Sequence, residues 1–142
     1  MQTDNRLIYL LSRAHHRLGN HLKKSLASKD IKITPVQAGI MFLLRKHPQT
    51  MTELSQSLAI DNSAITGLID RLEASGFARR DSNPNDRRTY NISLTPAGLE
   101  QTSKAEIIVK SVNKEIEAGF SEEEVETFKR ILNSFFDKFD KN

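Results

Sequence analysis

The stretch MTELSQSLAIDNSAITGLIDRLEASGFARRDSNPNDRRTYNISLTPAG, residues 51–98, changes its periodicity once, and that change decides the fold. Just before it, Thr50 stands three residues ahead of Glu53, the spacing of a reciprocal capping box. Leu54 and Leu58 then share one face of a short helix that Ile60 closes. Asp61 or Asn62 caps a second helix, in which Ile65, Leu68, Ile69 and Leu72 form an apolar face and Gly76 ends the run. From Phe77 the period shortens to two: FARRD and RRTYNISL flank the turn residues SNPN, with Tyr90, Ile92 and Leu94 alternating against Thr89, Asn91 and Ser93. The expectation is a β-hairpin with one buried face.

Upstream, Leu7, Leu11, Ala14, Leu18 and Leu22 mark one stripe of a long helix reaching about Ser28. Thr34, Pro35 and Gln37 then supply an N-cap, a first helical position and a capping-box partner for another. Downstream, Thr95 and Pro96 repeat the cap and first position. Leu99, Ile108, Val112 and Ile116 extend that helix, and Ser121 with Glu124 opens a last one, where Phe120 and Val125 have the spacing of a hydrophobic staple. This final helix carries Val125, Phe128, Leu132, Phe135, Phe136 and Phe139 on a wide apolar arc. Either that arc packs on the first helix of its own chain, or both helices bury area against a second subunit; the extent of the patch favours a homodimer.

The composition excludes several functions. The 142 residues suit one domain with a real core, and 37% hydrophobic with 27% charged residues describes an ordinary globular chain. Without cysteine there is no disulfide, thiolate zinc site or thiol nucleophile, and Met1, Met41 and Met51 read as packing groups. No apolar run approaches the roughly 18 residues of a membrane span, and no signal-peptide pattern opens the chain, so a cytoplasmic location without membrane association is expected. No HExxH, nucleophile elbow, phosphate loop or distinctive carboxylate pair is present; an enzyme is not expected, and neither is a cofactor.

The net charge of +3 is modest, but its distribution is informative. Arg79, Arg80, Arg87 and Arg88 gather at the hairpin against Asp81 and Asp86, while Glu122, Glu123, Glu124 and Glu126 make a distant stretch acidic. Four arginines on a hairpin alone read as a solvated tip; beside a helix-turn-helix they read as phosphate contacts. With its apolar face turned inward, the second short helix leaves Asn62, Ser63, Thr66, Gly67 and Asp70 outward near its N-terminus, where hydroxyls can bond bases or phosphates. Asp70 repels phosphate unless paired, and Arg71 or a wing arginine is a candidate partner.

Helix, turn, helix and hairpin in this order make a winged helix-turn-helix. The segments MTELSQSLAIDNSAITGLIDRLEASGFARR and NPNDRRTYNISLTPAG resemble the MarR family of transcriptional regulators. The fold class expected is mainly α with a β-hairpin wing, flanked by terminal dimerisation helices. One domain would then comprise dimerisation helices at 1–30 and 119–142, a DNA-binding lobe at 31–96 and a connecting helix at 96–118. The resemblance implies a homodimer on double-stranded, pseudo-palindromic operator DNA, with Arg88 of the Asp-x-Arg pair in the minor groove, Asp86 orienting the wing and Arg87 nearer phosphate. Many family members carry a basic residue at the position of Gly67, so the operator bases do not carry over. The resemblance also implies a repressor released by a small aromatic or phenolic anion, which Arg13, His16 and Arg17 could receive; solvent-facing roles are the alternative for these three.

His15, His16 and His21 raise a metal-responsive alternative of the same fold. Adjacent His15 and His16 point about 100° apart on a helix, however, and no thiolate accompanies them, so no metal site is assigned. A winged-helix protein-interaction module is the other alternative. The sequon at Asn91 is a chance match in a strand.

Overall fold

A computed structural model describes residues 3–139; Met1, Gln2 and residues 140–142, the outermost ends of the expected dimerisation helices, lie outside it. The elements in chain order are α1 (Leu7–Ser28), α2 (Pro35–Lys46), β1 (Gln49–Thr50), α3 (Met51–Leu58), α4 (Asn62–Ala74), β2 (Ala78–Asn83), β3 (Asp86–Leu94), α5 (Pro96–Glu117) and α6 (Glu122–Lys138). The fold is mainly helical with a three-stranded antiparallel sheet in the order β1-β3-β2. The chain forms two compact units, Met1–Ile108 and Val109–Asn142.

Local chemistry explains most helix starts. Thr34 and Gln37, Thr50 and Glu53, and Ser121 and Glu124 each form both bonds of a capping box, which pairs two otherwise orphaned N–H groups reciprocally. Asp61, rather than Asn62, caps α4: its Oδ1 accepts from Ala64 N–H at 2.9 Å. The α3–α4 turn passes through Ala59 in a left-handed conformation, φ 53°, which is uncommon for a residue with a Cβ. Ser55 Oγ donates to the Ile60 carbonyl across the same turn.

The core lies in the first unit. Leu26, Ile40, Met41, Leu54, Ile65, Ile69 and Ile92 are wholly closed to solvent there, joined by Leu72, Ala78 and Ala105. The four α4 residues expected on one apolar face do pack on this core, Leu68 at its margin.

Two features of the sheet differ from the sequence pattern. Strand β1, unforeseen because it has only two residues, pairs Gln49 with Ile92 and Thr50 with Asn91, so Thr50 ends a strand and caps a helix at once. Gln49 is buried, with Nε2 donating to the Leu43 carbonyl at 3.0 Å. Tyr90 alternates correctly with Ile92 but is 49% exposed, because the alternating face has a core beneath it only at the base of the hairpin.

The base of the wing is latched to the end of α4. Gly76 takes φ 81°, a left-handed turn that glycine enters without steric cost. Thr95 N–H then donates to the Phe77 carbonyl at 3.1 Å and Thr95 Oγ1 donates to the Gly76 carbonyl at 2.5 Å, while Gly98 N–H donates to Thr95 Oγ1 at 3.1 Å. A Cβ on Gly98 would lie 2.0 Å from the Phe77 oxygen, so only glycine fits. One threonine thereby caps α5 and fixes the hairpin to the helix before it.

Candidate nucleic-acid interface

The first turn of α4 presents its polar groups outward, as expected for Asn62, Ser63 and Thr66, which are exposed, and for Gly67, which is half-buried. Their hydroxyls are engaged locally. Ser63 Oγ donates to Asp61 Oδ1 at 2.8 Å, and Thr66 Oγ1 donates to the Asn62 carbonyl at 2.9 Å while lying 3.6 Å from Met51 Sδ. So arranged, both present acceptor oxygens, which suit the amino groups of adenine and cytosine in a major groove. Gly67 has nothing within 4 Å of the position a Cβ would take, so no packing within the chain requires a glycine there.

At the hairpin tip, a register irregularity between Ser82 and Asn83 accompanies a side-chain-braced turn. Asn83 Oδ1 accepts from Asn85 N–H at 2.9 Å, and Asn83 Nδ2 donates to Thr89 Oγ1 at 3.0 Å. Asp86 accepts from Arg88 three times, from N–H at 3.0 Å, Nε at 3.2 Å and Nη2 at 3.4 Å. The Arg88 backbone bond first, and its guanidinium second, hold the Asp86 carboxyl below the ordinary carboxylate value. Arg88 nonetheless remains 89% exposed, a cation oriented at its base and open at its end.

The four arginines occupy different settings. Arg87 and Arg88 are exposed near the turn. Arg79 Nε donates to Asp81 Oδ2 and to Ser93 Oγ, both at 3.2 Å, along one face of the hairpin. Arg80 is turned back to α4, where it pairs with Asp70 and lies 2.8 Å from Glu73. Asp70 therefore has a wing arginine as its partner. Glu73 was not singled out from sequence; its signal was its position three residues after Asp70, which puts both on one helical face.

The expected anion-receiving residues do not form an enclosed site in the single chain. Arg13 Nη1 donates to the Asp4 carbonyl at 2.7 Å, His16 Nε2 lies 3.3 Å from Asn20 Nδ2, and His16 and Arg17 are exposed. Among the described residues, no three His, Cys, Asp or Glu side chains converge in a way that could hold a metal, so His15, His16 and His21 do not gather. Among the same residues no helix is long and apolar enough to cross a membrane.

Comparison with known proteins follows the same geography. The MarR family model matches residues 33–90, from the loop before α2 into β3. The HTH-type transcriptional regulator PecS of Dickeya dadantii (strain 3937) is 30% identical over 132 residues, covering 92% of this chain and 75% of that protein. A putative transcriptional regulatory protein for the hcr operon of Thauera aromatica is 27% identical over 105 residues, covering 73% of this chain; the match spans 63% of that protein's length. Among solved structures, one concerning regulation of DNA binding of Bordetella bronchiseptica BpsR by 6-hydroxynicotinic acid shares the fold, with a TM-score of 0.85 and 22% identity over 100% of this chain and 99% of that one.

Proposed function

The chain belongs to the MarR family, and we propose that it is a dimeric, sequence-specific DNA-binding repressor. The observation that carries this reading is the Asp86-braced, 89% exposed Arg88 on a hairpin whose base is latched to a capped outward helix. In it Asn62, Ser63, Thr66 and Gly67 of α4 face the major groove, Arg88 enters the minor groove, and Arg79 and Arg87 meet phosphate.

Residues 31–96 serve as the DNA-binding lobe, 96–118 as the connecting helix, and the segments 1–30 and 119–142 as the dimerisation helices. In the first unit Leu7 at 76% and Ile8 at 69% exposure, and in the second Phe136 at 62% and Phe139 at 73%, are apolar groups a second copy would cover. Two lobes in such a dimer read half-sites about 34–36 Å apart.

Release follows from linkage: an effector lowers DNA affinity only if it binds the non-operator arrangement more tightly. A small aromatic or phenolic anion is the proposed class, supported by the 6-hydroxynicotinic acid response of the Bordetella regulator. Arg13, His16 and Arg17 on α1 are its proposed contacts.

Selection of bound fragments from genomic DNA, repeated with hydroxylated aromatic acids, tests the whole reading. Enrichment of a palindrome with one-turn half-site spacing is expected, together with its loss when an active acid is added. No enrichment at low salt would remove the DNA-binding assignment; enrichment that no acid affects would remove the effector class alone.

A further inference from the structure

The geometry points to Arg80 as a positioning residue that sets the angle between α4 and the wing, in place of the phosphate contact its sequence context suggests. This rests on the DNA-binding reading above. Arg80 pairs in register with Ile92, whose side chain is wholly buried, so it stands on the inward face of the hairpin. Its side chain is 26% exposed, against 64% for Arg79 and 89% for Arg88.

From there one guanidinium meets two carboxylates from a single turn of α4. Its Nη2 pairs with Asp70 Oδ1, and its Nε lies 2.8 Å from Glu73 Oε1. The fork is hydrogen-bonded to Asp70, while Glu73 faces its Nε side as a second charge without a hydrogen bond, so its planar direction is fixed in a way a point charge would not be. The strut therefore joins the helix proposed to read bases to β2, whose hairpin partner β3 carries the minor-groove arginine.

Its electrostatics differ from those of the tip. A cation facing two carboxylates adds no positive potential toward DNA, and a cation already neutralised within the protein releases no counterion from a phosphate. Arg80 should thus affect how well the operator is read and leave the general attraction to DNA unchanged.

The test compares operator fragments selected by the wild-type protein with shuffled duplexes of equal length and composition, across a salt series. For Arg80→Gln, operator affinity should fall about tenfold, shuffled-duplex affinity should change less than about twofold, and both salt slopes should stay within about 0.3 of wild type per subunit. Arg80→Lys, which keeps the charge and loses the fork, should recover only part of the operator affinity. A phosphate contact would behave otherwise: Arg80→Gln would weaken operator and shuffled duplex equally and flatten the slope by about 0.9 per subunit, with Arg80→Lys retaining affinity. That result overturns the assignment.

The paired variant Asp70→Asn with Glu73→Gln approaches from the other side and carries the test if Arg80→Gln does not fold. It removes two negative charges, yet operator preference should fall, and adding Arg80→Gln should cost nothing further. Unchanged or increased preference, or an additive loss, overturns the proposal. Wild-type protein with no operator preference would overturn the DNA-binding reading itself, a result distinct from all of these.

Discussion

Around α4, Ile65 and Ile69 are fully closed from solvent with Leu54 and Ile92, whereas α6, with an apolar arc just as regular, has no buried residue and leaves Phe128 50%, Phe136 62% and Phe139 73% exposed. Both helices begin on a side-chain cap and both display apolar residues at helical spacing. The difference lies in what covers the face. The α4 face is met within its own unit by α2, α3 and the sheet, so the lobe is complete as folded; the α6 face has no such cover and leaves no residue fully buried.

The most damaging substitution should fall inside the closed region. Gly98→Ala drives a Cβ against the Phe77 carbonyl and should destabilise the lobe by about 3 kcal/mol, read by thermal or denaturant unfolding. A loss below about 1 kcal/mol would mean that the Thr95 latch yields easily and the lobe is less rigid than its core implies. Phe136→Asp, on the open face, should leave unfolding of the lobe unaltered and weaken dimerisation by about 2 kcal/mol per side chain, read by sedimentation. An unaltered association constant would show that this face has another cover and would break the contrast.

Smaller effects sharpen the lobe itself. Gly67→Ala finds open space and should stabilise the fold by about 1 kcal/mol through helix propensity. If operator affinity falls while stability rises, close approach of DNA to that backbone is the reason for the glycine; if affinity holds, the glycine has no binding role. Arg88→Ala should flatten the salt slope of DNA binding by about 0.9 per subunit, and an unaltered slope would reassign the wing tip.

The smallest effect concerns pH. Because the folded Asp86 carboxyl titrates below its ordinary value, the turn it braces is intact above that value and loosens as pH falls through the lowered one. The Arg88 amide signal, followed by NMR, should report a midpoint below that of an unstructured aspartate. A midpoint at the ordinary value would mean that the brace is not maintained in solution.

The parts legible from sequence depend on neighbours within about four residues. Three capping boxes are set by spacing along the chain, so reading the spacing found them; spacing left the α4 cap open between Asp61 and Asn62, and the Asp86–Arg88 pair entered through the family resemblance. Strand β1 escaped because two residues carry no periodicity, and its existence depends on β3 arriving from some forty positions away. Tyr90 shows the reverse: its period was right, but alternation does not reveal where the core beneath a hairpin ends.

By itself, then, the sequence determined the order of elements, most helix starts and the place of the wing, and its resemblance to the family implied the cation that the wing aspartate orients. Only the tertiary structure decided why Gly98 must be glycine and which arginines remain open, turning Arg80 onto Asp70 and Glu73 while leaving Arg88 outward. The reason is the same in both cases. Each depends on a reversal of the chain, at Gly76 for Arg80 and at the hairpin turn for Gly98, which brings groups ten or twenty residues apart within reach.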